Sequence, residues 1–243
     1  MASYYAGQNV DLEKGNGEKL YPGMMESPQM RWAFVRKIYS ILFVQLLITF
    51  GVALAMYLVE PVGRFLRTRD GLAVVIVVTV LMVIFCITMH CVAHIHPWNY
   101  IFMFLFTISM AGMVGVVCTQ KSGESLLLAA GLTALIFLAL TVFTFVAASF
   151  GFDFSFLAPF LLCATLLLIT FGFIRMLFPM GHIWNQVYGF LGAMLFSAFI
   201  IYDTDNVIKR FDYDQYIEAA AALYMDIINL FLSLLELFGG PRT

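Results

Sequence analysis

The sequence predicts an all-α membrane protein, a bundle of seven transmembrane helices, and three observations carry that reading. Hydrophobic residues make up 62% of the 243 residues and charged residues 12%, against about 45–50% and about 25% in an ordinary soluble domain. The 13 Lys and Arg and 15 Asp and Glu are too few to cover a chain of this length in water. They are also unevenly placed. Six stretches, 38–58, 71–93, 97–118, 125–150, 154–174 and 183–202, contain no Asp, Glu, Lys or Arg, and each is long enough to cross about 30 Å of hydrocarbon as a helix. A seventh, 217–238, is apolar apart from Glu218, Asp226 and Glu236.

Residues 1–30 have too little periodic apolar content to fold alone and read as a disordered cytosolic tail, suited to partner binding. The domain proper is expected over 31–240. No apolar core of a cleavable signal opens the chain, so the first span is expected to direct insertion itself. Arg31, Arg36 and Lys37 immediately precede that span and favour a cytosolic N-terminus. The linker EPVGRFLRTRD leads to the second span, which ends among His90, His94 and His96. Trp98 opens the third span, TQKSGES precedes the fourth, GFD the fifth, and Trp184 opens the sixth. Indole rings suit the headgroup layer, so Trp32, Trp98 and Trp184 support these boundaries. Gly189 and Ala193 in the sixth span are four apart, as close helix approach requires. Seven full spans put Thr243 on the side opposite the N-terminus.

The net charge of −2 and the lack of a basic stripe argue against nucleic acid as a partner. Cys86, Cys91, Cys118 and Cys163 all fall in apolar spans without a C-x-x-C, and read as small buried hydrophobes rather than disulfides or metal ligands. His90 and His94 are one helical turn apart, a spacing used by metal ligands. A zinc-dependent intramembrane hydrolase would also need a serine four residues before a histidine, and Cys86, His90, Val92 and Phe178 occupy those positions. The histidines therefore read as interfacial, and no metal, cofactor or enzymatic role is expected.

An ionisable residue inside a span is a functional candidate, because it costs about 2.5–3.5 kcal/mol at the centre of an isolated helix. Asp203 lies about 9 Å inside the end of its helix if that helix runs to Lys209, and Asp226 about 13 Å into the next. Two antiparallel helices with a short link would bring these carboxylates to similar depth. Asp226, Asn229, Ser233 and Glu236 are spaced 3, 4 and 3 and share one helical face. A polar stripe of this kind must face the bundle interior or a water-filled path, since lipid leaves polar groups unsatisfied. A dry packing seam is the other reading of the same stripe.

At this point the motifs are recognisable: MRWAFVRKIYSILFVQLLIT, HPWNYIFMFLFT, GFDFSFLAPFL, IYDTDNVIKR and EAAAALYMDIINLFLSLLELFG. The chain resembles the transmembrane Bax inhibitor motif family, Lifeguard branch, in its plant-type form, from about Met30 to Phe238. The resemblance implies a seven-helix bundle with the polar seventh helix at its centre. It implies residence in the endoplasmic reticulum or Golgi, or in the vacuolar or plasma membrane, with suppression of programmed cell death and control of store calcium. It also implies that Asp203 and Asp226, the aspartates of IYD and YMD, are paired pH-sensing carboxylates. Partners on this reading are the lipid bilayer, calcium as a permeant ion, and, if the protein does not conduct, death receptors or Bcl-family proteins. Relatives place an arginine cluster before P-W-N where a cation can latch one aspartate. Here the sequence is AHIHPWN, so either a histidine among His90, His94 and His96 takes that place, protonated only in acid, or the latch is missing.

Overall fold

A computed structural model of the protein describes residues 19–93, 95–178 and 181–240. Among them, the chain forms eight helices: α1 (Pro28–Leu58), α2 (Glu60–Leu66), α3 (Arg69–Cys91), α4 (Trp98–Cys118), α5 (Gly123–Ser149), α6 (Leu157–Leu177), α7 (His182–Lys209) and α8 (Tyr216–Phe238). All but α2 are long and apolar enough to cross a membrane, so the protein is an integral multi-pass membrane protein with seven such helices. The seventh predicted span is α8. The linker before the second span is partly helical, forming α2, whose C-terminal turn abuts the start of α3.

Local chemistry sets the helix ends. Pro28 occupies the first turn of α1, where its missing N–H is no loss. Thr68 caps α3 by accepting from Gly71 N, and Ser122 caps α5 by accepting from Ser125 N. Gly71 is required there, because a Cβ would lie 2.1 Å from Phe65 O at the α2–α3 corner.

Burial identifies the centre. In the most apolar window of α8, 56% of the residues are buried, against 6% in α3 and in α6, so α8 is the axis and those two helices are largely peripheral. It packs most extensively on α7 and also on α5, α1 and α4. Gly189 lets α7 and α8 approach to backbone contact, since a Cβ there would meet Leu237 N at 2.6 Å and Ser233 O at 2.7 Å. Gly192, one turn on, accommodates the Ser233 hydroxyl. Polar bonds fix the other neighbours: Tyr224 Oη and Thr49 Oγ1 are 2.7 Å apart, and Gln45 Nε2 donates to Thr107 Oγ1 at 3.0 Å.

The link ends sort onto two faces. On one, Arg31 donates to Phe211 O at 2.7 Å, Asn99 Nδ2 to Tyr216 Oη at 3.4 Å, and Phe154 N to Asp205 Oδ2 at 3.2 Å. On the other, Ser122 N donates to Gly240 O at 3.2 Å. The start of α1 and the end of α8 therefore lie on opposite faces. Trp98, on the first face, and Trp184, on the second, are about half exposed, as interfacial indoles are.

One expectation needs correction. Residues 1–30 read as a disordered tail, yet Leu20 and Met24 are buried in the main core, and Glu26 binds both Arg31 and Tyr213. Two apolar side chains and one carboxylate with two partners are enough to hold residues 19–27 against the bundle. Residues 1–18 and Thr243 lie outside the described residues.

Candidate functional site

The α7–α8 hairpin brings the two predicted aspartates together. Their depths match because both helices run from the short link 210–215 and the carboxylates sit similar distances from it. Asp226 is buried, and its carboxyl is hydrogen-bonded to that of Asp203. Asn206, one turn along α7, donates from Nδ2 to Asp203 Oδ1 at 3.2 Å. Among the described residues, no Lys, Arg or His is bonded or ion-paired to either aspartate. The two acids are thus neighbours in the bundle interior, on facing helices.

The pair opens onto a cavity of about 760 Å³. Its walls come from α6, α7 and α8, with His90 of α3 and Val117 of α4. Asn229, Ser233 and Glu236 all line it, so the predicted stripe borders one continuous space. Thr165 of α6 also borders it and leaves a buried hydroxyl without a partner. Much of the remaining lining is apolar, including Leu168 of α6 and Leu195, Phe196 and Phe199 of α7.

The histidines part company. His90 lines the cavity but bonds to neither aspartate. His96 is not in the cavity wall; its ring packs edge-on to Tyr100, with centroids 5.5 Å apart, in the α3–α4 link. His94 lies outside the described residues. Among those residues, no group of three or more His, Cys, Asp or Glu is arranged to hold a metal ion.

Several polar residues at the site were not singled out from the sequence. Arg175 of α6 and Lys121 of the α4–α5 link both bind Glu236, at 2.8 Å and 3.4 Å. Arg175 had a visible signal, being the one Asp, Glu, Lys or Arg between Asp153 and Asp203. Asp205, two residues after Asp203, is fully buried and paired with Lys209 and Arg210. It ties the end of α7 to the α5–α6 link and takes no part in the cavity.

Comparison with known proteins agrees with the arrangement of the motifs. Residues 31–243 match the family described as inhibitor of apoptosis-promoting Bax1. The chain is 46% identical over 236 residues to Protein LIFEGUARD 4 of Arabidopsis thaliana, covering 96% of each protein. It is 45% identical to Protein LIFEGUARD 2 of the same plant over 95% of this chain and 96% of that protein. Similarity extends to animals, with 36% identity to Protein lifeguard 4 of Mus musculus across 86% of each.

Proposed function

The chain belongs to the family of inhibitors of apoptosis-promoting Bax1, and from that premise we propose that it is a pH-sensitive calcium leak pathway of an internal membrane. On this reading Asp203 and Asp226 control the leak, and the leak dampens programmed cell death. The family itself supports an anti-apoptotic membrane protein. The finer reading rests on one observation: the buried Asp226 carboxyl lies against that of Asp203 and borders a cavity that continues past Asn229 and Ser233 to Glu236.

A dry packing seam would bury its polar groups against protein, as the Thr49 and Tyr224 hydroxyls are. This stripe instead borders a cavity from Asp226 to Glu236. Calcium prefers carboxylate and carbonyl oxygen, so a cation entering the cavity finds its first pair of ligands at Asp203 and Asp226. Two carboxylates in contact bind and release protons as a unit, and protons and calcium compete for the same oxygens.

Calcium flux into dye-loaded liposomes that contain only the purified chain tests the proposal. Uptake well above that of protein-free liposomes is expected. Uptake equal to theirs would return the protein to the other reading, a non-conducting regulator that binds death receptors or Bcl-family proteins.

A further inference from the structure

We propose that Arg175 and Lys121 form a cation barrier at the far mouth of the cavity and hold Glu236 as its closed gate. This deepens the cation-pathway reading and rests on it for its physiological meaning, though not for its test. Glu236 is ten residues after Asp226, about 15 Å along α8, so the two acids mark opposite ends of the polar strip.

The carboxylate of Glu236 is divided between two cations. Arg175 Nη2 donates to Oε1 at 2.8 Å and Lys121 Nζ to Oε2 at 3.4 Å. One side chain thereby joins three parts of the chain: α8, the end of α6 and the α4–α5 link. Its surroundings keep the junction in place. The Arg175 guanidinium lies 4.4 Å from the Tyr188 ring centroid on α7. Ser125 Oγ donates to Phe238 O at 3.3 Å, and Gly240 N donates to Ser125 Oγ at 3.1 Å.

An open carboxylate at a pore mouth attracts cations. This one carries two positive charges against its single negative charge, so a cation leaving the cavity meets a net positive junction whose acid is already occupied. Both Arg175 and Glu236 are in the cavity wall. α6 packs chiefly on α7 and is among the least buried spans, so the Arg175–Glu236 bridge is what draws its end toward α8. Passage then requires Glu236 to exchange its guanidinium for the permeant cation, and the exchange frees the end of α6.

The test uses the full chain with its four cysteines replaced and Asn229→Cys placed inside the cavity. It is reconstituted with the C-terminal side outward, and labelling by membrane-impermeant thiol reagents is timed. The readout is the ratio of rates for a cationic and an anionic reagent of matched size. Arg175→Gln should raise this ratio roughly fivefold or more, as expected for one unit charge lost several ångströms from the path in an intermediate dielectric. Lys121→Gln should act in the same direction, more weakly because its contact is longer, and Arg175→Lys should stay near the parent. If Arg175→Gln does not give monodisperse protein, Lys121→Gln and the exchanged pair Arg175→Glu with Glu236→Arg carry the comparison, with the exchanged pair expected to keep the parental ratio. An unchanged ratio in the neutralised variants overturns the barrier. A raised ratio without calcium flux in any variant supports the barrier and removes the leak reading.

Discussion

Glu26 shows how a single side chain outside the spans can carry a pH response. Burial pushes its carboxyl up, but the Tyr213 hydroxyl and the Arg31 guanidinium outweigh burial and hold it below its ordinary value of 4.5. Tyr213 moves the other way, pushed up to about 12 by burial and by its bond to Glu26, so it stays protonated and donates. A carboxyl with a depressed folded value stabilises the fold fully above its ordinary value and loses that contribution as pH falls through the depressed one. The protection factors of amides 20–26, corrected for the intrinsic exchange rate at each pH, should therefore be high at pH 6 and fall below about pH 4.5, and Glu26→Gln should abolish that pH step while protection in α8 is unchanged. A step retained in Glu26→Gln would place its origin elsewhere. None of this was legible in the sequence, where Glu26 sits in a polar stretch and its partner Tyr213 is 187 residues away. Asp203 and Asp226 were legible, because the rise of a helix converts their distances from a short link into depth. Arg175 was visible as a lone charge near a span end, yet its partner Glu236 comes only from the fold.

At the scale of the helix, the α7–α8 hairpin does most to build the site. The spacing of Gly189 and Ala193 announced a close approach, and the structure places Gly189 against the backbone of α8 at Ser233 and Leu237. Gly189→Leu should force the two helices apart and cost on the order of 1–3 kcal/mol, the usual range for overpacking a close contact. Thermal unfolding in detergent should show a clear loss of stability, whereas Gly131→Leu on α5, where nothing lies within 4 Å of an added Cβ, should show little. Equal loss at both positions would mean that the close contact at Gly189 does not decide, since Leu is the better helix former at either site. The apolar stretches gave the seven long helices almost directly. They did not give α2, because a seven-residue helix needs no long apolar run, nor the ordered segment 19–27, whose two buried anchors do not make a periodic pattern.

The whole molecule follows from placing one helix with a polar stripe at the centre of six other spans. That position buries Asp226 and Ser233 and sets their face of α8, with Asn229 and Glu236, along the cavity. The start of α1 and the end of α8 lie on opposite faces, so tags at the two termini should report opposite sides of the membrane, with the N-terminal tag cytosolic because Arg31, Arg36 and Lys37 flank the first span. Protection of both tags or exposure of both would contradict seven crossings. The central claim is that the adjacent carboxylates of Asp203 and Asp226 govern a cation path as one titrating unit. Its most direct test is calcium flux into dye-loaded liposomes from pH 5 to 8 for the parent, Asp203→Asn, Asp226→Asn and the double variant. Each single substitution should change the flux and flatten its pH dependence, and the double should add little to either, as expected for two groups acting through one interaction. Parental pH profiles in both single variants would contradict the claim and leave the pair a structural contact.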